Sequence, residues 1–108
     1  MFTYNAELVK VVDGDTVDLK VDLGFSVFVE MRIRLYDVDT PEIRTKDLKE
    51  KELGMLAKNF VIESFARNEY KCVVKTIKDS TDKYGRYLGI IYFGEENLNE
   101  TLKEKHSK

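Results

Sequence analysis

Cysteine, proline, histidine and tryptophan are almost missing from this chain of 108 residues, which holds one Cys, one Pro, one His and no Trp. A lone Cys72 cannot close an internal disulfide, and its place inside an apolar run reads as a buried, inert thiol rather than a nucleophile. One His and one Cys are too few to build a zinc site. No apolar stretch approaches membrane-spanning length, and Met1-Phe2-Thr3-Tyr4 has no basic region followed by a long apolar segment. No membrane partner is therefore expected, and as written the chain reads as cytoplasmic, or as secreted if a leader was removed. Positive charge is not in excess either: the net charge is −2, so any attraction to a polyanion must come from local placement.

What is present is a globular composition, 43% hydrophobic and 35% charged, with six Tyr and six Phe. That reads as a single domain over residues 1–108, and as a monomer. The charge is unevenly spread. Residues 1–31 carry two basic and six acidic side chains, whereas 67–86 carry six basic and three acidic ones, so a phosphate backbone is expected to meet the latter side.

Apolar residues from Phe2 to Val12 stop at the turn dipeptide Asp13-Gly14. Beyond it Val17, Leu19, Val21 and Leu23 alternate with Asp18, Lys20 and Asp22, the period of a half-buried strand. Gly24-Phe25 turns the chain into a second alternating run, Val27, Val29, Met31, Ile33 and Leu35, and the two form a long hairpin. If the odd residues face a core, Arg34 projects from the opposite face, where a ligand can reach it.

The charged stretch 43–51 reads as a surface loop. From Glu52 the positions Leu53, Leu56, Ala57, Phe60, Val61, Ser64 and Phe65 follow helical spacing, giving an amphipathic helix that Asn68 can end. Tyr70–Ile77 and Tyr87–Phe93 are strand-like runs around a polar loop, and Glu96–Lys105 reads as a short helix capped by Asn97, with 106–108 frayed. Three strands, a helix, two strands and a short helix suit a small closed antiparallel barrel with helices outside it: an α+β fold, a five-stranded OB-type barrel.

Three short segments hold the chemistry. Asp13-Gly14-Asp15-Thr16, then Arg34 with Asp39-Thr40-Pro41-Glu42, then Asp82-Lys83-Tyr84-Gly85-Arg86 supply carboxylates and two arginines at strand ends and turns. Carboxylates such as Asp15, Asp39 and Glu42 are hard oxygen donors suited to Ca²⁺ or Mg²⁺, though taken alone Asp-Gly-Asp-Thr is more often a turn. No run satisfies the alternating ligand pattern of an EF-hand, so any ion would bind a dispersed site. Arg34 and Arg86 carry fixed forks of donors that match phosphate oxygens. Each also has an ordinary alternative as a surface ion pair, Arg34 with Glu30 or Glu42 and Arg86 with Asp82. Lys83 and Tyr84 can reach a neighbouring phosphate or base.

Together these segments resemble, in order and spacing, the staphylococcal nuclease (thermonuclease) family. The resemblance runs from about Val11 to Leu102, with Gly54 and Ala57 in the first helix and Asn99-Glu100 in the last. It implies an OB-fold barrel and a Ca²⁺-dependent phosphodiesterase acting on DNA or RNA, preferring single strands and leaving 3′-phosphate ends. By the same resemblance Asp15, Asp39 and the Thr40 carbonyl correspond to calcium ligands, Arg34 and Arg86 to the phosphate clamp, and Glu42 to the residue that orients or deprotonates water. Lys83 and Tyr84 correspond to flanking substrate contacts. The family's third helix and its base-stacking tyrosines have no counterpart here, and the Gly24 hairpin is longer than in the type member. A non-catalytic OB-fold module that binds nucleic acid or protein is the competing class, and a purely structural calcium-binding domain ranks below it.

Overall fold

The computed structural model describes residues 2–81 and 86–107, with side chains described outside 78–81. Six strands and two helices follow in the order β1 (Thr3–Asp13), β2 (Thr16–Asp22), β3 (Phe28–Leu35), α1 (Leu48–Arg67), β4 (Lys71–Thr81), β5 (Tyr87–Phe93), β6 (Glu96–Asn97) and α2 (Leu98–His106). The sheet order β3-β2-β1-β4-β5-β6 returns on itself through a β3–β5 pairing, which closes a five-stranded barrel. That seam is parallel, Ile33 opposite Tyr87 and Arg34 opposite Leu88, so the barrel is mixed rather than wholly antiparallel as expected. The two-residue β6 is an addition that its length hid from periodicity.

Alternation fixes the barrel's inside. Val17, Leu19, Val21, Ile33 and Leu35 are buried from the hairpin, Val74 from β4, and Ile91 and Phe93 from β5. α1 lays Ala57, Val61, Ser64 and Phe65 against the barrel, and Phe65 meets Phe93 edge to face at 5.0 Å, a geometry favoured by the ring quadrupoles. The helix begins at Leu48, four residues ahead of Glu52, because the Asp47 carboxylate accepts the Lys49 and Glu50 amides at 3.0 and 3.2 Å. It stops at Asn68, as its sequence predicts, and Glu69 and Tyr70 take positive φ to turn the chain into β4.

α2 starts on Asn97, whose side chain accepts the Glu100 amide at 3.1 Å. His106 does not fray: it stays helical and sets its ring 5.0 Å from Phe60 of α1. Cys72 is buried as expected, and desolvation pushes its thiol up to about 12.

The hairpin departs from simple alternation at both ends. Its free end runs past the barrel, leaving Leu23, Val27 and Val29 exposed although they share the parity of the core residues. Nearer the barrel Asp18 is buried rather than solvated. Its cross-strand partner Arg32 donates to both carboxylate oxygens, Nε at 2.8 Å and Nη2 at 3.1 Å. Those hydrogen bonds hold the Asp18 carboxyl below its usual range.

Candidate active site

Where β1 hands over to β2, the Asp13–Thr16 turn is pressed between α1 and the 39–42 loop. A Cβ on Gly14 would stand 2.8 Å from the Ala57 Cβ and 2.9 Å from the Thr40 hydroxyl, so only glycine fits without displacing one of them. The turn aims the Asp15 carboxylate back at the loop, where Oδ2 accepts the Thr40 amide at 3.3 Å and Oδ1 accepts the Thr16 hydroxyl at 3.2 Å. The Asp15 carbonyl takes the Leu35 amide at 2.8 Å, tying the turn to the end of β3.

The loop itself is shaped by Asp37. Its positive φ of 59° reverses the chain after β3, burying Val38 and Thr40 while Asp39 between them faces out. Lys103 of α2 holds Asp37 through a 2.6 Å ion pair. Beneath, the buried Asn99 amide donates to the Tyr36 and Gly89 carbonyls, both at 3.0 Å, and accepts the Ile91 amide at 3.1 Å. One side chain thus joins α2, β5 and the entry to the loop with its main polar valences met. From the other side α1 touches the loop through Gly54, where a Cβ would lie 2.6 Å from the Pro41 carbonyl oxygen.

Arg34 and Arg86 reach this place from the two sides of the parallel seam. Arg34 donates to the Leu35 carbonyl at 2.9 Å, and its Nη2 stands 3.6 Å from Asp15 and 3.9 Å from Asp39. Its partners are therefore the two candidate ligand carboxylates, and not Glu30 or Glu42. Arg86 donates through Nη1 to the Thr16 hydroxyl at 3.2 Å. A cleft of about 300 Å³ is lined by Asp15, Arg34, Asp39, Thr40, Glu42 and Arg86, with Asp13, Pro41 and Ile43 completing the wall.

Six of the eight residues singled out in the sequence thus share one cleft; Lys83 and Tyr84 lie outside the described residues. Thr16 is the residue that motif reading leaves without a role. Buried between Asp15 and Arg86, it links a carboxylate to a guanidinium, and a hydroxyl amino acid next to Asp15 is the trace of this in the chain.

The cleft's side chains offer carboxylate and hydroxyl oxygen but no imidazole or thiol, the chemistry of a hard cation. The Asp15 side chain is 13% exposed and that of Asp39 is 67% exposed, so one donor is enclosed by protein and the other faces solvent. Among the described residues no three His, Cys, Asp or Glu side chains cluster closely enough to hold an ion. An ion would therefore rest on two carboxylates, main-chain oxygen and water, a donor set that Ca²⁺ tolerates through its variable coordination number.

A small OB-type barrel with paired guanidinium groups facing carboxylates across a cleft is the class that fold and site define. Residues 32–105 match the model of the staphylococcal nuclease homologue family, and the chain belongs to that family. An uncharacterized protein of Methanocaldococcus jannaschii is 35% identical over 121 residues, covering 92% of this chain and 55% of its own length. The thermonuclease of Staphylococcus intermedius is 29% identical over 96 residues, covering 89% of this chain and 53% of that enzyme. The micrococcal nuclease of Shigella flexneri is 30% identical over 89 residues, covering 82% and 42%. The chain spans about half the length of these curated relatives. Among the described residues no helix is long and apolar enough to cross a membrane.

Proposed function

We propose that this chain is a Ca²⁺-dependent nuclease that hydrolyses phosphodiester bonds of DNA or RNA, preferring single strands and leaving 3′-phosphate ends. The observation that carries this reading is the convergence of Arg34, Arg86, Asp15, Asp39 and Glu42, drawn from distant parts of the chain, on one cleft. A retired family copy is free to lose any of the five, whereas all are kept here.

A phosphodiester repels nucleophiles by its own negative charge, so fixed cationic donors lower the barrier more than a stronger base would. Arg34 and Arg86 grip non-bridging oxygens of the scissile phosphate from opposite walls. Thr16 keeps the Arg86 fork aimed inward. Glu42, exposed at the cleft rim, orients a water for in-line attack and accepts its proton at the carboxylate. The bond from phosphorus to the departing 5′ oxygen breaks, and that oxygen is protonated from solvent. Asp15, Asp39 and the Thr40 carbonyl are the residues that would hold Ca²⁺, which when bound draws charge from a phosphate oxygen as a Lewis acid. Lys83 and Tyr84 flank the substrate in this reading.

The test is incubation of pure protein with end-labelled single-stranded DNA and RNA in Ca²⁺, in Mg²⁺ and in EGTA. Cleavage to 3′-phosphate products in Ca²⁺ alone is the expected result. Undiminished cutting in EGTA would remove the ion from the mechanism. Tight oligonucleotide binding without cleavage in any condition would replace the enzyme by the binding module.

A further inference from the structure

The free end of the β2–β3 hairpin is unlike the rest of the molecule. Along Phe28–Arg32, β3 pairs with β2 on one side only, because its pairing with β5 begins at Ile33. Among the described residues this leaves an open edge of backbone donors and acceptors. Leu23, Phe25, Val27, Phe28 and Val29 are all exposed around it. Proteins usually blunt such an edge with proline, lysine or a bulge, yet Val27–Met31 contains neither proline nor lysine, and Phe28–Met31 pairs with β2 without a register break. A two-stranded ribbon is also marginally stable alone, whereas added strands make a persistent sheet.

We infer that this edge is an interface with a second copy of the chain, in which β3 pairs antiparallel with β3 about a two-fold axis at Val29. An open edge takes an extended strand, and β3 is complementary to itself in this register. Val29 then lies opposite Val29, Val27 opposite Met31 and Phe28 opposite Glu30, so apolar side chains meet on one face and no like charges are opposed. A register centred on Glu30 would set two carboxylates against each other, and one centred on Met31 would need Ile33, already paired with Tyr87. Met31 packs on the barrel core, so the joined apolar face is continuous with the interior of each copy. The axis is far from the cleft, since Asp15 adjoins the opposite end of the same hairpin, about 20 Å away along six strand residues. The inference does not depend on the nuclease reading.

The test combines mass and a cross-link. Sedimentation or light scattering across a concentration series is expected to show twice the 12.6 kDa chain mass. Val29→Lys is expected to raise the dissociation constant by roughly 30-fold or more, the size of an interface hot-spot substitution, with an unchanged circular dichroism spectrum. Val29→Cys is expected to form an intermolecular disulfide under mild oxidation, because residues directly opposite on paired antiparallel strands lie within disulfide reach. Cys72 is buried and gives no background, while Val9→Cys, at an exposed site on β1 away from the proposed axis, is expected to form no intermolecular disulfide. A single-chain mass at every concentration, or equal cross-linking at positions 29 and 9, would overturn the inference.

Discussion

Arg86 donates to the hydroxyl of Thr16 at 3.2 Å, joining two residues seventy positions apart across the mouth of the barrel. The contact fixes the direction of a planar fork, and an ammonium in its place keeps the charge but loses the two-point geometry. Arg86→Lys is therefore expected to lower kcat/KM by about 100- to 1000-fold while leaving the spectrum and Tm nearly unchanged. Steady-state kinetics on a short single-stranded oligonucleotide check this, and turnover within a few-fold of the parent would remove Arg86 from the mechanism.

Gly54→Ala tests the contact between α1 and the 39–42 loop. Alanine is the better helix former by about 1 kcal/mol, yet its Cβ would meet the Pro41 carbonyl at 2.6 Å. Backbone cannot yield there without moving Asp39 and Glu42. Net destabilisation of about 1–2 kcal/mol is expected, with a rate loss of up to about 100-fold from misplacement alone. A variant as active and more stable than the parent would show that the loop is free of the helix.

Asp18 sets an acid limit on stability. Hydrogen bonds from Arg32 lower its pKa in the folded state, so the folded form binds the proton less readily than the unfolded one, whose value is near 3.8. The stabilisation is complete above that pH and is lost as the pH falls through the lower folded value. Urea unfolding between pH 6 and pH 2 should show this loss in the parent and a shallower slope in Asp18→Asn. Parallel curves for the two proteins would assign the acid response to other carboxylates.

His106 acts in the neutral range. Burial beside Phe60, with Lys105 adding repulsion, lowers its pKa below the ordinary 6.5, so protonation favours the unfolded chain. The stabilisation from the neutral ring is complete above 6.5 and is lost as the pH falls toward the folded value. Tm is expected to drop between pH 8 and pH 5 by more in the parent than in His106→Phe. An identical drop in both would place the cause elsewhere.

Much of this architecture is written in local patterns. Period-two alternation marks β2 and β3, Asn68 and Asn97 mark helix ends, and the three short motifs point to six residues that meet in one cleft. What escaped is what local pattern does not encode. Parallel closure through Arg34 and Leu88 joins strands more than fifty residues apart, so no turn announces it. The first turn of α1 hides in a charged run because its signal is a cap, Asp47, and not an apolar face. Alternation marks Val27 and Val29 as inward without saying where the barrel ends, and it marks Asp18 as solvated because Arg32 opposite it is fourteen residues away.

The parallel seam also sets when the site comes into being. A nascent chain that has made only β1, β2, β3 and the loop after them owns Arg34, Asp15 and Asp39 but lacks Arg86, which arrives only when β5 docks against β3 across more than fifty residues. Molecules that have not closed this seam would thus lack the paired guanidinium groups, and the cleft would be assembled by a non-local contact rather than built up turn by turn.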